Sequence, residues 1–161
     1  MKSITLLSFT LALSAAAWAD APQHDDHTAM QAGRVTSPAT TREPVSFPPK
    51  LREDTLTNMR DHLLAIQEIT AYLADKQFDA AADVAETRLG MTSMQRHGAH
   101  EVAQYMPDGM RRIGHGMHQA ASQFAVAAKD AGVTGDTGAA LRALATMQSS
   151  CVACHAGYQL K

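Results

Sequence analysis

From Lys50 onward, apolar residues recur at the alternating three- and four-residue spacing of an amphipathic helix. The first segment has a predicted apolar stripe of Leu56, Met59, Leu63, Ile66 and Leu73. A second helix is predicted from Phe78 to a break at Gly90. Residues 91–106 are predicted to continue it as a further helix.

A third long helix is predicted after Pro107, because proline suits the first turn of a helix. Its predicted stripe is Met110, Ile113, Met117, Ala120, Phe124 and Ala127. The stretch GVTGDTG then breaks the chain, and Asp136 or Thr137 is expected to cap a last helix. That helix carries on one side Leu141, Leu144, Cys151, His155 and Tyr158. Four long helical segments with short loops predict an all-α fold, an antiparallel four-helix bundle over residues 50–161.

The first 49 residues have a different composition. MKSITLLSFTLALSAAAWA contains one basic residue, a short apolar run and a final Ala-Trp-Ala, so residues 1–19 are predicted to be a secretory signal peptide. The apolar run is shorter than the roughly 20 residues of a membrane-spanning helix, and no span is expected after cleavage. Residues 20–49 hold five of the six prolines and almost no large apolar residues, which predicts a flexible, disordered leader.

Charge and composition narrow the class of protein. The formal net charge is −2 and no basic patch is present, so no nucleic-acid partner is expected. The sequence offers no acid–base pair, nucleophile triad or phosphate loop, and we expect no enzyme activity. In the leader, His24, Asp25, Asp26 and His27 are consistent with a loose metal site or a solvated polar tail, and we favour the tail.

Both cysteines of the chain lie in its last segment, SSCVACHAGYQLK. The spacing of Cys151, Cys154 and His155 fits covalent haem attachment, a redox dithiol or a metal clip. A redox dithiol is favoured at a helix N-terminus, whereas this pair lies near a predicted C-terminus, where the helix dipole disfavours thiolate. A structural zinc site needs four ligands and only three are present. Since residues three and four apart share a helix face, haem attachment uses all three side chains and is favoured.

A four-helix bundle with C-x-x-C-H in its last helix resembles the class II c-type cytochromes, the cytochrome c′ family. The resemblance covers about residues 50–161 and includes Tyr158, which matches the C-H-x-x-Y ending of the family. The family usually has arginine at the next position, where this chain has Gln159. The resemblance implies one covalent haem c, bound through Cys151 and Cys154, with His155 as proximal iron ligand.

The sixth iron position in this family faces the first helix, where a methionine binds iron or a bulky apolar residue leaves it open. Counting from Arg52 places Leu56 at that position, and counting back from Phe78 places Met59 there. We favour Met59 as the distal ligand, and Leu56 lines the distal site in the alternative. The rival histidines are expected at a rim (His62), within QRHGAHEV (His97 and His100), or in solvent (His115 and His118).

The leading functional interpretation is an exported, periplasmic electron carrier that cycles one electron with redox partner proteins. The first alternative is a five-coordinate haem protein that binds or senses a gas such as NO or CO. The second is a periplasmic copper-handling module, since thioethers suit Cu(I); its methionines would be Met91, Met94, Met106, Met110 and Met117. Their spacing favours core packing instead. Family members often pair through their first two helices, so the resemblance leaves a homodimer open.

Overall fold

The computed structural model describes residues 41–161, and this part of the chain is mostly helical. The signal-peptide prediction, His24–His27 and most of the predicted leader lie outside the described residues. In chain order the elements are β1 (Glu43–Val45), α1 (Pro49–Ala74), α2 (Phe78–Val84), a π-helical turn (Ala85–Leu89), a 3-10 turn (Met91–Ser93), α3 (Ala99–Ala103), α4 (Asp108–Thr134), α5 (Thr137–Gly157) and β2 (Tyr158–Leu160). The predicted all-α class is confirmed, with one short parallel pairing of β1 and β2 added.

The first helix begins where the sequence pattern predicted but buries a different face. Its buried residues are Thr55, His62, Ala65, Ile69 and Leu73. The predicted stripe is wrong for Leu63, which is 70% exposed. The helix packs on α2 and the π-helical turn, where the buried residues are mostly alanines. The close packing that alanine surfaces allow fits the fully buried Ala65 and Ile69 of α1, whereas Leu63 and Leu64 lie outside this contact.

Residues 91–106 do not form the predicted continuous helix. Gly90 ends the π-helical turn in extended backbone, which confirms the predicted break. Beyond it the Ser93 hydroxyl donates to the Gly90 carbonyl at 2.7 Å and closes a 3-10 turn. Gly98 then adopts a left-handed conformation at φ +60°, which few other residues tolerate, and only the five-residue α3 follows. The glycines therefore divide this segment into short turns that lie across one end of the fold.

The last two long helices start close to their predicted signals. Pro107 is the residue immediately before α4, and the Asp136 side chain accepts a hydrogen bond from the Ala139 amide at 2.9 Å as the cap of α5. The two helices pack on each other, and α4 also packs on α2. Together with α1 they enclose the main core cluster, whose largest fully buried apolar side chains are Phe124, Ile69, Leu89 and Met147.

Sequence analysis ended the leader at residue 49, but residues 43–48 include part of the packed structure. Val45 is 3% exposed and Phe47 is 8% exposed. They form an end cluster with Val102 and Met110. The leader was assigned from its proline content. Composition does not show that Val45 and Phe47 pack against residues far along the chain. No helix within residues 41–161 is long and apolar enough to cross a membrane.

Candidate functional site

The two cysteines continue the buried stripe of α5. Ala140, Leu144 and Met147 are the buried residues of this helix, and Cys151 and Cys154 follow at the same spacing. Both thiols are free and half-buried. Cys151 packs against the main core cluster, whereas Cys154 packs against the end cluster. The pair therefore lies where the two apolar clusters meet.

The surroundings of the cysteines keep them in the neutral form. Burial raises the pKa of the Cys151 thiol, and burial together with the neighbouring Cys151 raises the pKa of Cys154. Thiolate is the reactive form in thiol–disulfide exchange. These thiols consequently lack the depressed pKa of a redox dithiol, in agreement with the sequence argument against that chemistry.

His155 lies in the last turn of α5 and is exposed. One residue beyond the helix end, Tyr158 is half-buried against the end cluster. Its hydroxyl occupies the space beside Gly109 in which a Cβ atom would have to fit. A glycine at the start of α4 thus makes room for the tyrosine that follows the cysteine motif.

The chain end beyond the cysteines is tied to the beginning of α1. The Arg52 Nε atom donates a hydrogen bond to the Lys161 carbonyl at 2.6 Å. The Lys161 amide donates to the Val45 carbonyl at 3.0 Å, next to the β1–β2 pairing. These contacts fix the end of α5, and with it the position of the cysteines relative to α1.

A cavity of about 240 Å³ lies between α1, residues 94–106 and α4. Met59 lines it and is 36% exposed. Leu56 is half-buried and is not among the lining residues. The lining residues are Thr55, Asn58, Met59 and His62 from α1, Met94, His97, Ala99, Val102, Ala103 and Met106 from the connection, and Arg111, Gly114, His115 and His118 from α4.

The cysteines do not line this cavity, but two of its residues connect it to them. Val102 is a member of the end cluster and Met106 packs against that cluster, as Cys154 does. Val102 and Met106 therefore belong both to the cavity wall and to the end cluster against which Cys154 packs. His155 does not line the cavity either.

Three histidines meet at the cavity wall, and two of them correct the sequence analysis. His62 was expected at a rim and His118 in solvent, but they are 8% and 9% exposed. The ring centroid of His62 lies 5.0 Å from that of His97 and 6.1 Å from that of His118, and the other pair is 6.0 Å apart. His115 and His100 are exposed.

A helical signal for these buried histidines was present in the sequence. His118 precedes Ala121, Ala125 and Ala128 at three- and four-residue spacing, and all three alanines are buried. His62 stands in the same relation to Ala65 and Ile69. Scoring histidine as polar removed both from the predicted stripes, which is why sequence analysis missed them.

Burial lowers the pKa of all three histidines. The pKa of His62 falls from 6.5 to about 4, chiefly through burial and then through the neighbouring His97 and His118. Burial is also the main cause for His97 and His118. At neutral pH the three imidazoles are therefore uncharged.

The charged groups nearest to the histidines are paired with one another. Arg88 donates to both carboxylate oxygens of Asp61, from Nε at 3.2 Å, and to Glu68 at 2.6 Å. The hydrogen bond from Arg88 is the main reason that the pKa of Asp61 is lowered. This ion-paired group joins α1 to the π-helical turn, and within residues 41–161 no carboxylate is hydrogen-bonded to the three histidines.

Within residues 41–161, no group of three or more His, Cys, Asp or Glu side chains is already arranged to hold a metal ion. Comparison with family models, curated proteins and solved structures found no match to this chain.

Proposed function

We propose that this protein is an exported c-type cytochrome that carries one covalent haem and transfers single electrons. The observation that carries the proposal is the position of Cys151 and Cys154 on the core-facing stripe of α5, immediately before His155. Two thioether bonds would anchor the porphyrin between the apolar clusters, and His155 would bind the iron. When bound, haem supplies a one-electron Fe(III)/Fe(II) couple.

The described residues fit such a group in their chemistry. The thiols face apolar surroundings, which suit a flat apolar macrocycle, and no disulfide consumes them. The porphyrin would take space that Val102 and Met106 now share with the cavity. Both side chains belong to the segment of short turns rather than to a long helix. This segment can adjust with less loss of packing than the main core cluster.

Met59 is the distal iron ligand in this proposal. It lines the cavity, whereas Leu56 does not, and this favours a methionine-ligated iron over the open, gas-binding site of the alternative. A thioether ligand favours Fe(II) and raises the reduction potential, as an electron carrier requires. The protein then works in the periplasm with redox partner proteins.

The finer architecture belongs to the same proposal. Contacts join α1 to α2, α2 to α4 and α4 to α5, which supports an antiparallel four-helix bundle made of these four helices. The exposed Leu63 and Leu64 of α1, at 70% and 50% exposure, support a homodimer through this helix.

Covalent haem is tested by producing the full chain together with a c-type maturation system. The purified protein should gain the mass of one haem and keep its colour through acid–acetone extraction. Cys154→Ser should lose most of this haem. Ala153→Ser, an exposed change inside the motif that keeps both thiols, should behave as wild type. Protein with two free thiols and no haem, made by active maturation machinery, would refute the proposal.

The distal ligand is tested by visible spectra of the haem-loaded protein. Wild type should be low spin, with a sulfur-to-iron charge-transfer band in the ferric form. Met59→Ala should become high spin, bind CO faster and have a lower potential, while Leu56→Ala should keep the wild-type spectrum. A Met59→Ala protein with the wild-type spectrum would transfer the assignment to the gas-binding function.

A further inference from the structure

The two buried histidines, His62 and His118, and the half-buried His97 come from three separate parts of the chain. His62 is on α1, His97 lies in the turn before Gly98, and His118 is on α4. Their ring centroids lie 5.0 to 6.1 Å apart. Imidazole nitrogens that are removed from water need polar partners, and each ring of this cluster brings two of them.

Hydrogen bonding fixes the tautomer of one ring. The Nδ1 atom of His118 lies 2.6 Å from the Leu89 carbonyl, and since a carbonyl can only accept, Nδ1 carries the proton. Its Nε2 atom therefore keeps a free lone pair. A histidine whose second nitrogen donates to a backbone carbonyl is oriented in the manner that metal-binding histidines usually are.

The other two rings make a poor hydrogen bond with each other. His62 Nε2 and His97 Nδ1 are 3.5 Å apart, at the long limit for such a bond. Two nitrogens bound to one tetrahedral zinc ion, each at about 2.0–2.1 Å, lie about 3.3 Å apart. The observed separation is thus closer to that of two ligands of a shared ion than to a good hydrogen bond.

We propose that His62, His97 and His118 bind one divalent transition-metal ion of the zinc or copper type in the cavity wall. Neutral imidazole suits both ions. The three nitrogens do not yet converge on one point, so binding requires ring rotation, for which the adjoining cavity of about 240 Å³ gives room. Met94 lines the same cavity and offers a thioether for the fourth position. Asp61 is held by Arg88 and is not a ligand.

This site does not depend on haem, and its test uses a different readout. Zinc binding is measured by isothermal titration of the chelator-treated full chain, in a His24→Gln/His27→Gln background that removes the leader histidines. One equivalent should bind. His97→Gln and His62→Gln should each weaken binding at least tenfold, since loss of even an outer-shell partner of a metal ligand costs about 10–100-fold. The exposed His100→Gln variant, which lies outside the cavity lining, is the matched control and should bind as wild type.

Two further measurements guard against misfolding and adventitious binding. His97 is half-buried in a turn, so His97→Gln should keep the wild-type circular dichroism and the wild-type melting temperature without zinc. Zinc should raise the melting temperature of wild type but not that of His97→Gln, because only bound metal stabilises the native state. Co²⁺ should give the visible absorption of a tetrahedral complex.

Equal zinc affinity in wild type and His97→Gln, or an equal loss of affinity in the His100→Gln control, would overturn the proposal. A His62→Gln protein that binds no less zinc but has an altered haem spectrum would assign His62 to the haem iron instead. If haem attachment fails but zinc still binds, only the proposed function is refuted and the metal site is supported.

Discussion

Acidification should destabilise this protein mainly through His62. The pKa of this histidine is about 4 in the folded protein and 6.5 in its unperturbed state, so the folded state resists its protonation. The stability that depends on the neutral ring is fully present above pH 6.5 and is lost progressively as the pH falls towards 4. Because one pKa unit corresponds to about 1.36 kcal/mol, lowering the pH from 7.5 to 4.5 should cost about 2–3 kcal/mol.

The assay is urea unfolding, followed by circular dichroism at both pH values with a chelator present. At a typical slope of about 2 kcal/mol per molar urea, protonation of His62 should account for about 1–1.5 M of the fall in the wild-type midpoint. His62→Gln removes the titrating ring, and its midpoint should fall less between the two pH values. His97 and His118 have lowered pKa values too and contribute to the loss in both proteins, so the difference between the proteins isolates His62.

The charged groups near His62 do not change their ionisation between the two pH values. Asp61 and Arg88 face His62, and the pKa of Asp61 is lowered below its ordinary 3.8, so this ion pair remains intact at pH 4.5. The exposed His100→Gln variant should show the full wild-type loss. Equal losses in wild type and His62→Gln would show that the buried imidazole does not control acid stability, and the argument from burial would be refuted.

Three further expectations concern packing and are checked by urea or thermal unfolding. Ile69→Ala should lower the unfolding free energy by about 2–5 kcal/mol, because Ile69 is fully buried. Leu63 is 70% exposed, so Leu63→Ala should change it by less than about 0.5 kcal/mol. Equal losses would mean that Leu63 belongs to the buried face, as the sequence predicted. Phe47→Ala should cost about 3 kcal/mol, and no loss would mean that residues 43–48 belong to a flexible leader after all. Gly116→Ala should raise the unfolding free energy by up to about 1 kcal/mol, because the new Cβ atom has open space around it. Gly109→Ala should lower the melting temperature, because its Cβ atom collides with the Tyr158 hydroxyl. Adding Tyr158→Phe should relieve that collision.

The features that the sequence predicted correctly are governed by local chemistry. Asp136 caps α5 because its side chain reaches an amide three residues ahead, and Gly90 ends a helix through its own backbone. The helical nature of residues 50–157 follows from periodicity, with the exception of residues 91–106. In that segment the left-handed Gly98 and the turn after Gly90 interrupt the helix that the composition favours.

The features that sequence analysis missed depend on which surfaces meet. Which face of α1 is buried depends on its contact with the alanines of α2, whereas the large apolar residues of α1 alone pointed to a different face. The burial of Val45 depends on residues 102–160, far along the chain. The histidine cluster combines three segments whose proximity is a property of the fold. Spacing indicated the cysteine motif of the proposed site, and the family resemblance pointed to Met59, but neither indicated the polar cavity wall beside Met59.

The β1–β2 pairing also has a consequence for the order of folding. The Arg52–Lys161 hydrogen bond joins positions that are 109 residues apart, and closing so long a loop carries an entropic cost that is compensated only after other contacts have formed. Helices with local contacts can form before this closure, so the last turn of α5 remains unclamped until the final stage of folding. In the proposed function, Cys151 and Cys154 would be accessible during that interval to an enzyme that attaches haem to the newly exported chain. Under the proposed function, a mutation that accelerates closure, such as a stronger β1, would shorten that interval and lower the yield of haem-loaded protein.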